Sequence, residues 1–483
     1  MNSSDLPVLV VGAGPAGLAA AIELTRHDIP TLLVERRRRL ASHPRATTLS
    51  LRSMEIVRAW GLEAAVRDRG VEVDWRMLQC ETLAEAASGT PLQVGYPSAE
   101  QSRMISPTAP ACIAQDELEP LLLEHLLDSP HAAVALGTEL TGLDAGPDGA
   151  RVDLCDLRTG ASRTVHARYV VAADGARSAV RSALGVRMAG PDGVLAGVTT
   201  LFRAPLWEVV GDHRHVIYAT THPDGPRSFI PTGPGDRWLI GVHAGEADMP
   251  DDRRVAESVR RGAGVPDLPV RVERSRWFSS AAQLAESWRS GCAFLAGDAA
   301  HRVTPRGGMG LNLALQDGYD LGWKLAWVLR GWAESALLDS YEAERRPFAE
   351  HVAARSADPN GSIRTVDREV RADLGGRIAH VWAGERSTLD LLGPGLTLFC
   401  GPDEPAWEAV AAAAATPVPI TVRRLDSIAA RGIGAPARWA LLARPDGAQL
   451  GVLPGGAGAL PSLRAALEGG GARLSASAGW RAA

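Results

Sequence analysis

The chain has 483 residues, 46% of them hydrophobic and 22% charged, with a formal net charge of −5 at pH 7. This length exceeds what one hydrophobic core usually serves, so two or three domains are expected. The weakly acidic balance offers no general attraction for polyanions and argues against a nucleic-acid-binding function.

Two further features bear on the cellular setting. The five cysteines are scattered and lack metal-ligand spacing, which predicts isolated thiols in a reducing compartment and no metal site. The apolar stretches fall short of the roughly 20 residues of a membrane span. We therefore expect a cytoplasmic protein that does not associate with a membrane.

The N-terminal segment has the pattern of a dinucleotide-binding unit. An apolar strand at 8–11 leads into a glycine-rich turn and a helix predicted over 15–27, and a second strand ends at the acid Glu35, where a ribose would lie. The turn contains Gly12, Gly14, Ala16 and Gly17. Gly12 permits a tight turn, Gly14 lets the backbone approach a pyrophosphate, and Gly17 lets the helix pack closely on the strand. The combination favours a dinucleotide site over a purely structural turn.

The remaining predicted elements follow in chain order. They are helices over 115–127, 311–329 and 340–357, a β-meander over 132–173, β-type runs between 195 and 243, a buried strand at 292–296 and a small α/β unit over 396–483. Two of the strands end at carboxylates, Asp174 before Gly175 and Asp298 after Gly297. Such a carboxylate alone more often caps the next helix or turn than binds a ligand. Three glycine–acid pairs at strand ends in one chain are a more specific sign of a cofactor site than any one of them alone.

On these residues the chain resembles the flavoprotein aromatic hydroxylases. These are single-component FAD-dependent monooxygenases of the p-hydroxybenzoate and phenol hydroxylase type, and they include a polyketide-tailoring branch. The matching segments are Asp174-Gly175-Ala176-Arg177-Ser178, Gly297-Asp298-Ala299-Ala300-His301, the loop from Pro305 to Asn312, Gln316-Asp317, residues 320–326 and residues 340–347. The resemblance covers residues 5–350 strongly and the C-terminal segment more weakly.

The resemblance implies an α/β fold with several units. A discontinuous Rossmann-like FAD-binding domain would comprise residues 1–185 and 291–385, with an inserted β-sheet substrate domain at 186–290. A small thioredoxin-like domain would follow at 390–483, where contacts within a homo-oligomer are a hypothesis.

The resemblance also implies roles for individual residues. Glu35 would hold the adenosine ribose, Arg45 and Gln115 would contact the FAD phosphates and ribityl chain, and Asp298 would accept a hydrogen bond from the ribityl hydroxyls. Asp174 would serve the fold near FAD and the passing nicotinamide nucleotide. The flavin ring would lie against a loop containing Pro305, Gly307, Gly308 and Gly310. The helix that begins near Leu311 and Asn312 would point its N-terminus at flavin N1 and stabilise the reduced flavin. No side-chain base is assigned.

The reaction that the resemblance implies is aromatic hydroxylation. NADPH or NADH would reduce FAD, dioxygen would add at flavin C4a, and the hydroperoxide would transfer one oxygen atom to a phenolic or polycyclic polyketide-like substrate. The run from Arg36 to Arg39 favours NADPH over NADH, because the guanidinium group of arginine binds a phosphate such as the 2′-phosphate well. Contact of these arginines with the FAD phosphates, or with solvent alone, is an equally open alternative. A Baeyer–Villiger or quinone-oxidising monooxygenase and a non-catalytic FAD-fold binding protein remain alternatives.

Substrate contacts are expected from the inserted sheet, which would cover the flavin ring. The candidates are Trp207, His215, Tyr218, Arg227, Phe229 and His243. Each of them is more commonly an ordinary packing residue of a sheet than a ligand contact.

Overall fold

The structure is a computed structural model that describes residues 5–242, 249–402 and 406–472. It is a mixed α/β protein with several sheets. Within these ranges, no helix combines the length and the apolarity that crossing a membrane requires.

The helices and strands are as follows. The strands are β1 (Asp5–Val11), β2 (Thr31–Glu35), β3 (Thr48–Leu49), β4 (Asp74–Cys80), β5 (Thr90–Gln93), β6 (Ala111–Cys112), β7 (Ala132–Leu136), β8 (Thr138–Ala145), β9 (Ala150–Asp156), β10 (Ser162–Ala172), β11 (Met188–Ala189), β12 (Leu195–Arg203), β13 (His215–Thr220), β14 (Arg227–Pro231), β15 (Arg237–Val242), β16 (Arg271–Ser280), β17 (Gln283–Ala285), β18 (Arg289–Ser290), β19 (Ala293–Leu295), β20 (His301–Arg302), β21 (Trp382–Ala383), β22 (Arg386–Ser387), β23 (Leu396–Cys400), β24 (Ile420–Arg424), β25 (Trp439–Ala443) and β26 (Gln449–Pro454). The helices are α1 (Pro15–Arg26), α2 (Leu51–Ala59), α3 (Glu63–Arg69), α4 (Ala99–Ile105), α5 (Gln115–Leu127), α6 (Ala179–Ala183), α7 (Leu206–Val210), α8 (Asp252–Ala263), α9 (Gly310–Leu329), α10 (Asp339–Ala357), α11 (Val366–Leu374), α12 (Ala406–Ala413), α13 (Ser427–Gly432) and α14 (Ala459–Ala472).

The first sheet gathers strands from distant parts of the chain. Its order is β18-β19-β10-β1-β2-β7, and β1, β2, β7, β10 and β19 run parallel to their neighbours within this group. The central strands are apolar and buried, as strands covered by helices on both faces should be. Because β1, β10 and β19 are parallel, the turns at Gly12, Asp174 and Asp298 all follow the carboxyl edge of one sheet, the edge where open α/β sheets bind ligands.

Helices α1 and α9 pack against each other at very short range, although almost 300 residues separate them. A Cβ added to Gly318 would lie 2.1 Å from the carbonyl oxygen of Ala16, and one added to Gly322 would lie 2.7 Å from Cβ of Glu23. Only glycine permits this approach. Helix α9 is thereby fixed against α1, the helix that follows the N-terminal glycine turn.

A second, seven-stranded sheet has the order β16-β12-β15-β14-β13-β4-β5. Strands β4 and β5 come from residues 74–93, so the expectation that this sheet is confined to 186–290 was wrong. β13 pairs with β4 in parallel, which a simple insertion after residue 186 does not predict. The expected meander over 132–173 was also wrong in part: β8, β9 and β10 are antiparallel neighbours, but β7 pairs in parallel with β2.

A third sheet, β24-β23-β25-β26, follows residue 396. Its buried Leu398 and Leu442 belong to the same hydrophobic cluster as the first sheet. Lys324 on α9 contacts Glu344 on α10 at 3.0 Å, and Glu344 accepts hydrogen bonds from Arg444 at 2.8 and 2.9 Å. The C-terminal sheet is therefore joined to the two long helices by apolar packing and by a buried charge network.

Candidate functional site

The glycine turn after β1 leaves open space at the N-terminus of α1. A Cβ at Gly12 would lie 2.3 Å from the Ala173 carbonyl oxygen, and one at Gly17 would lie 1.9 Å from the Gly12 carbonyl oxygen. A Cβ at Gly14, by contrast, would meet no atom within 4 Å. Gly14 is the N-cap of α1 and supplies no side-chain cap, so the first N–H groups of the helix face this space. The geometry suits a phosphate.

Glu35 stands beside this turn at the end of β2. Its Oε2 accepts a hydrogen bond from the Ala13 N–H at 3.0 Å, and its Oε1 accepts one from the Arg37 N–H at 2.9 Å. A carboxylate has about four lone-pair sites, so two bonds leave capacity for ribose hydroxyls. The arginines from Arg36 to Arg39 are exposed to solvent.

The start of α5 approaches the same edge. Gln115 is buried, and its Nε2 donates to Glu119 Oε1 at 2.6 Å. Burial raises the pKa of Glu119 to about 7, against the lowering effect of that hydrogen bond and of the Arg45 charge. Arg45 is exposed. The Gln115 side chain is therefore held by a hydrogen bond to Glu119, one turn further along α5.

The two later carboxylates differ in their surroundings. Asp174 Oδ2 accepts a hydrogen bond from the Val180 N–H at 3.1 Å, while its Oδ1 is buried without a partner. Asp298 is partly exposed. A Cβ at Gly297 would lie 3.1 Å from the Cβ atoms of both Ala16 and Ala314. The turn that carries Asp298 thus contacts the start of α1.

A buried charge network holds that turn in place. Asp317 Oδ2 accepts the Gly297 N–H at 3.1 Å and lies 2.5 Å from His301 Nε2, while Arg345 donates to Asp317 Oδ1 at 2.9 Å. Burial by itself would raise the pKa of Asp317, but the charges and hydrogen bonds of His301 and Arg345 outweigh it and lower the pKa. Asp317 therefore carries a negative charge inside the core.

Asn312 holds in place, by hydrogen bonds, the loop that was expected to contact the flavin ring. Gly307 and Gly308 have positive φ angles of 87° and 64°, and Pro305 is exposed. The Gly308 carbonyl oxygen accepts a hydrogen bond from Asn312 Nδ2 at 3.1 Å, and Asn312 Oδ1 accepts one from the Ser50 N–H at 2.7 Å. Helix α9 begins at Gly310, and Leu311 is buried. Asn312, which is fully buried, thus ties the loop to the start of α2.

Sequence reasoning missed four side chains around this loop. They are Tyr96, Arg355, Arg364 and Glu369, all of which are largely buried. Tyr96 OH lies 3.3 Å from the Gly308 carbonyl oxygen, and Arg364 Nη2 donates to the Gly307 carbonyl oxygen at 3.0 Å. No local spacing marks these residues, because they meet only through contacts between distant segments.

The substrate candidates on the second sheet face away from this loop. Tyr218 and Phe229 are fully buried in a separate core with Val259 of α8, and Arg227 Nε donates to Ser258 Oγ on α8 at 2.8 Å. Because side chains alternate along a strand, these residues cannot also line the opposite face. Trp207 belongs to the same outer core, and His215 Nδ1 lies 3.2 Å from the Arg76 carbonyl oxygen. The expectation that Tyr218, Arg227 and Phe229 contact the substrate is therefore corrected: their side chains pack on the side of the sheet that α8 covers. His243 lies outside the described residues.

The inner face of the second sheet contacts the first unit. His43 Nε2 lies 3.4 Å from Thr199 Oγ1, and Arg237 donates to Asp116 Oδ2 at 2.5 Å. An open cleft of about 360 Å³ lies here, and its lining includes Leu201 and Arg203 of β12. The second sheet is thus joined to the first unit through His43 and through Asp116 at the start of α5.

A parallel sheet with a glycine turn between its first strand and helix, and an acid at the end of its second strand, is typical of dinucleotide-binding proteins. A family model described as an FAD binding domain matches residues 5–356. The chain is similar to tetracenomycin A2 monooxygenase-dioxygenase of Streptomyces glaucescens (34% identity, 85% of each chain) and to aklavinone 12-hydroxylase DnrF of Streptomyces peucetius (33% identity, 84% of this chain and 94% of the relative).

Solved structures agree. Aklavinone-11 hydroxylase in a ternary complex with FAD and aklavinone has a TM-score of 0.85 at 30% identity, covering 97% of this chain and 99% of that one. The flavin-dependent monooxygenase PieE in complex with FAD and substrate has a TM-score of 0.86 at 26% identity, covering 97% and 100%. The chain belongs to the FAD-dependent aromatic hydroxylases, in the polyketide-tailoring branch. The resemblance predicted from the sequence, and FAD as cofactor, are confirmed.

Proposed function

We propose that the enzyme uses NAD(P)H and dioxygen to hydroxylate a phenolic or polycyclic polyketide-like substrate. Several curated relatives are named as hydroxylases or monooxygenases of such compounds, which supports this substrate class. FAD supplies the redox chemistry when bound, since it accepts a hydride and activates dioxygen at its C4a carbon.

The residues at the carboxyl edge of the first sheet fit FAD. The N-terminus of α1 beside Gly14 would bind the pyrophosphate, and Glu35 would accept hydrogen bonds from the adenosine ribose. Gln115, Arg45 and Asp298 would contact the phosphates and the ribityl chain. The unpartnered Asp174 Oδ1 is a further acceptor at this edge.

The ring end of the cofactor would lie along the loop from Gly307 to Gly310. The N-terminus of α9, which begins at Gly310, would place its partial positive charge beside the ring and favour the reduced anion. Asn312 would act indirectly by holding the loop.

The substrate would lie between this loop and the inner face of the second sheet. Met77 and Ile217 are paired across β4 and β13 and pack against the main core, while Tyr218, one residue on, faces outward. Trp75 is largely buried, and its ring lies 5.2 Å from that of Tyr96. An apolar cover of this kind would exclude water and hold an aromatic ring in place.

The proposed architecture would be completed by a thioredoxin-like unit at 390–483, of which residues 390–402 and 406–472 are described. In support, β23 and β24 are parallel and joined through α12, whereas β25 and β26 are antiparallel.

The observation that carries the proposal is that Gly14, Glu35 and Asp298 all follow the carboxyl ends of parallel strands of one sheet. The test is oxidation of NADPH and of NADH by the purified, FAD-loaded protein, with and without a panel of phenols, naphthoquinones and polycyclic polyketides. We expect oxidation stimulated by an aromatic substrate and a hydroxylated product. A lactone product would instead support Baeyer–Villiger chemistry, and a protein that binds no FAD would overturn the proposal.

A further inference from the structure

The inner face of the second sheet is only partly covered by the first unit. On β14, Arg227 and Phe229 are buried on the side that α8 covers. Ser228 and Ile230, which point to the other side, are partly exposed, and so is Ala219 on the neighbouring strand β13. Solvent therefore reaches the side of the sheet that faces the first unit.

Four small residues form a row across this face, one on each of the adjacent strands β12, β15, β14 and β13. The directly paired residues are Thr199 with Gly241, Gly241 with Ser228, and Ser228 with Ala219. Directly paired residues point to the same side of a sheet, and all four are partly exposed. Because neighbouring strands lie about 4.8 Å apart, this small-residue row is about 14 Å long.

Larger apolar side chains lie beside the small-residue row. Two positions along the same strands, Leu201 pairs with Leu239, and Leu239 pairs with Ile230. The surface therefore steps down from branched side chains to small ones across three strands. A long, shallow and largely apolar recess of this kind suits a flat ligand.

The backbone does not require glycine at position 241. Gly241 has no positive φ angle, and the pairing of β15 with β12 and with β14 is regular on both sides of it. Apart from its chain neighbours, the only atom of the described residues that an added Cβ would approach within 4 Å is Cβ of Ser228, at 3.9 Å. Glycine inside a strand weakens it, and it marks a bulge, a sharp bend or the close approach of a backbone or a ligand. Because the strand is regular here and no backbone lies close, a ligand is the remaining reason.

A buried histidine with an open nitrogen stands at one end of the small-residue row. His43 is 4% exposed, and its Nε2 lies 3.4 Å from Thr199 Oγ1, so its ring points at the row. Its Nδ1 is buried and has no hydrogen-bond partner among the described residues. Burial and the charges of Arg276 and Arg274 lower the pKa of His43 to about 4, so the ring is neutral and offers one donor and one acceptor. A hydroxyl or carbonyl group of a ligand would satisfy the open nitrogen.

We propose that a fused-ring aromatic substrate lies flat on the small-residue row, and that Gly241 determines how many fused rings the site accepts. This inference rests on the proposed function and narrows its substrate class to compounds of at least three fused rings. An oxygen at the edge of the ring system would bind His43. A side chain at position 241 would occupy the space of part of the ring system and leave room for a single ring.

The test compares two ligands of the FAD-loaded protein. Alizarin has three fused rings, and catechol is a single ring with the same pair of adjacent hydroxyl groups. Equilibrium dialysis gives the Kd of each without NAD(P)H or turnover. We expect Gly241→Val to weaken alizarin binding about tenfold or more, as one misplaced methylene in an apolar pocket does, and to change catechol binding by less than about twofold. Gly241→Ala should have an intermediate effect on alizarin.

Gly235→Val is the matched control, because Gly235 lies in the turn between β14 and β15 and an added Cβ there also meets no atom within 4 Å. It should leave both Kd values unchanged. FAD content reports whether each variant is folded, and valine at 241 is a favourable strand residue.

Unchanged alizarin binding in folded Gly241→Val would overturn the inference. Equal weakening of both ligands would also overturn it, because that would indicate a general disturbance of the site, and so would a wild type that does not bind alizarin. Because dialysis needs no product, a protein that binds alizarin as expected but hydroxylates nothing would contradict the proposed function and leave this inference standing.

Discussion

The carboxylate of Asp317 accepts the backbone N–H of Gly297 at 3.1 Å. Through this bond, helix α9 fixes the turn in which Asp298 follows Gly297, at the carboxyl edge of the first sheet. His301 Nε2 lies against the same Oδ2 atom, and Arg345 pairs with the other oxygen, Oδ1. The geometry of the proposed contact between Asp298 and FAD thus depends on Asp317, a residue that is fully buried and lies outside the proposed site.

Replacing Asp317 by Asn should destabilise the protein and weaken FAD binding. The change leaves Arg345 with an uncompensated buried charge, and breaking such a pair typically costs about 3–5 kcal/mol. Denaturant unfolding of the apoprotein and titration with FAD measure the two effects. Asp339→Asn is the control, since Asp339 is 70% exposed and its pair with Arg289 should contribute less than about 1 kcal/mol. Equal losses in both variants would contradict the structural role of Asp317.

Gly17→Ala should mainly lower the stability of the protein, whereas Gly14→Ala should mainly weaken FAD binding. A Cβ at Gly17 collides with the Gly12 carbonyl, so Gly17→Ala should lower the unfolding free energy of the apoprotein by more than about 2 kcal/mol. A Cβ at Gly14 meets open space, so Gly14→Ala should leave that free energy within about 0.5 kcal/mol. It should nevertheless weaken FAD binding tenfold or more, by about 1.4 kcal/mol or more, because the new methyl group occupies the proposed pyrophosphate space. Unimpaired FAD binding by Gly14→Ala would show that the pyrophosphate lies elsewhere.

Asn312→Ala should loosen the loop at Gly307 and Gly308, which we propose contacts the flavin ring. The variant removes the donor to the Gly308 carbonyl and the acceptor of the Ser50 N–H, both buried, and should cost about 1–3 kcal/mol of unfolding free energy. FAD should still bind, because the proposed pyrophosphate site is untouched, but hydrogen peroxide should form at the expense of product. The ratio of product to NAD(P)H oxidised measures this, and an unchanged ratio would argue against a role for Asn312 in holding the loop.

Glu119 should make the apoprotein less stable as the pH rises. Its pKa is about 7 in the folded protein and 4.5 in a free carboxyl, so the folded state binds more protons between these values. The stability associated with the neutral carboxyl is complete below pH 4.5 and is lost as the pH rises through about 7. Unfolding free energies at about pH 5 and about pH 8 should differ less in Glu119→Gln than in the wild type. Glu124→Gln, a change at an exposed site on the same helix, should behave as the wild type does.

Much of the first unit could be predicted because its signals are local. The helix predicted over 115–127 matches α5, and those predicted over 311–329 and 340–357 each differ from α9 and α10 by one residue at the start. Apolar periodicity and glycine–acid pairs lie within a few residues of one another, so they are visible in one stretch of chain.

The inner face of the second sheet could not be predicted in the same way. A one-residue offset separates Ile217, which packs toward the first unit, from Tyr218, which packs toward α8, and the sequence of β13 does not say which face is covered by which layer. The joining of β4 and β5 to the second sheet is likewise a long-range pairing. The arginine pair at 355 and 364 depends on a helix, a loop and Gly307 meeting in space, so no spacing along the chain reveals it.

The most direct test of aromatic hydroxylation is turnover under isotopically labelled dioxygen with NADPH and an aromatic polyketide substrate, followed by mass analysis of the product. Our account predicts one labelled oxygen atom in a ring hydroxyl for each substrate converted. Label absent from the ring hydroxyl, with oxygen derived from water or found only in hydrogen peroxide, would contradict it.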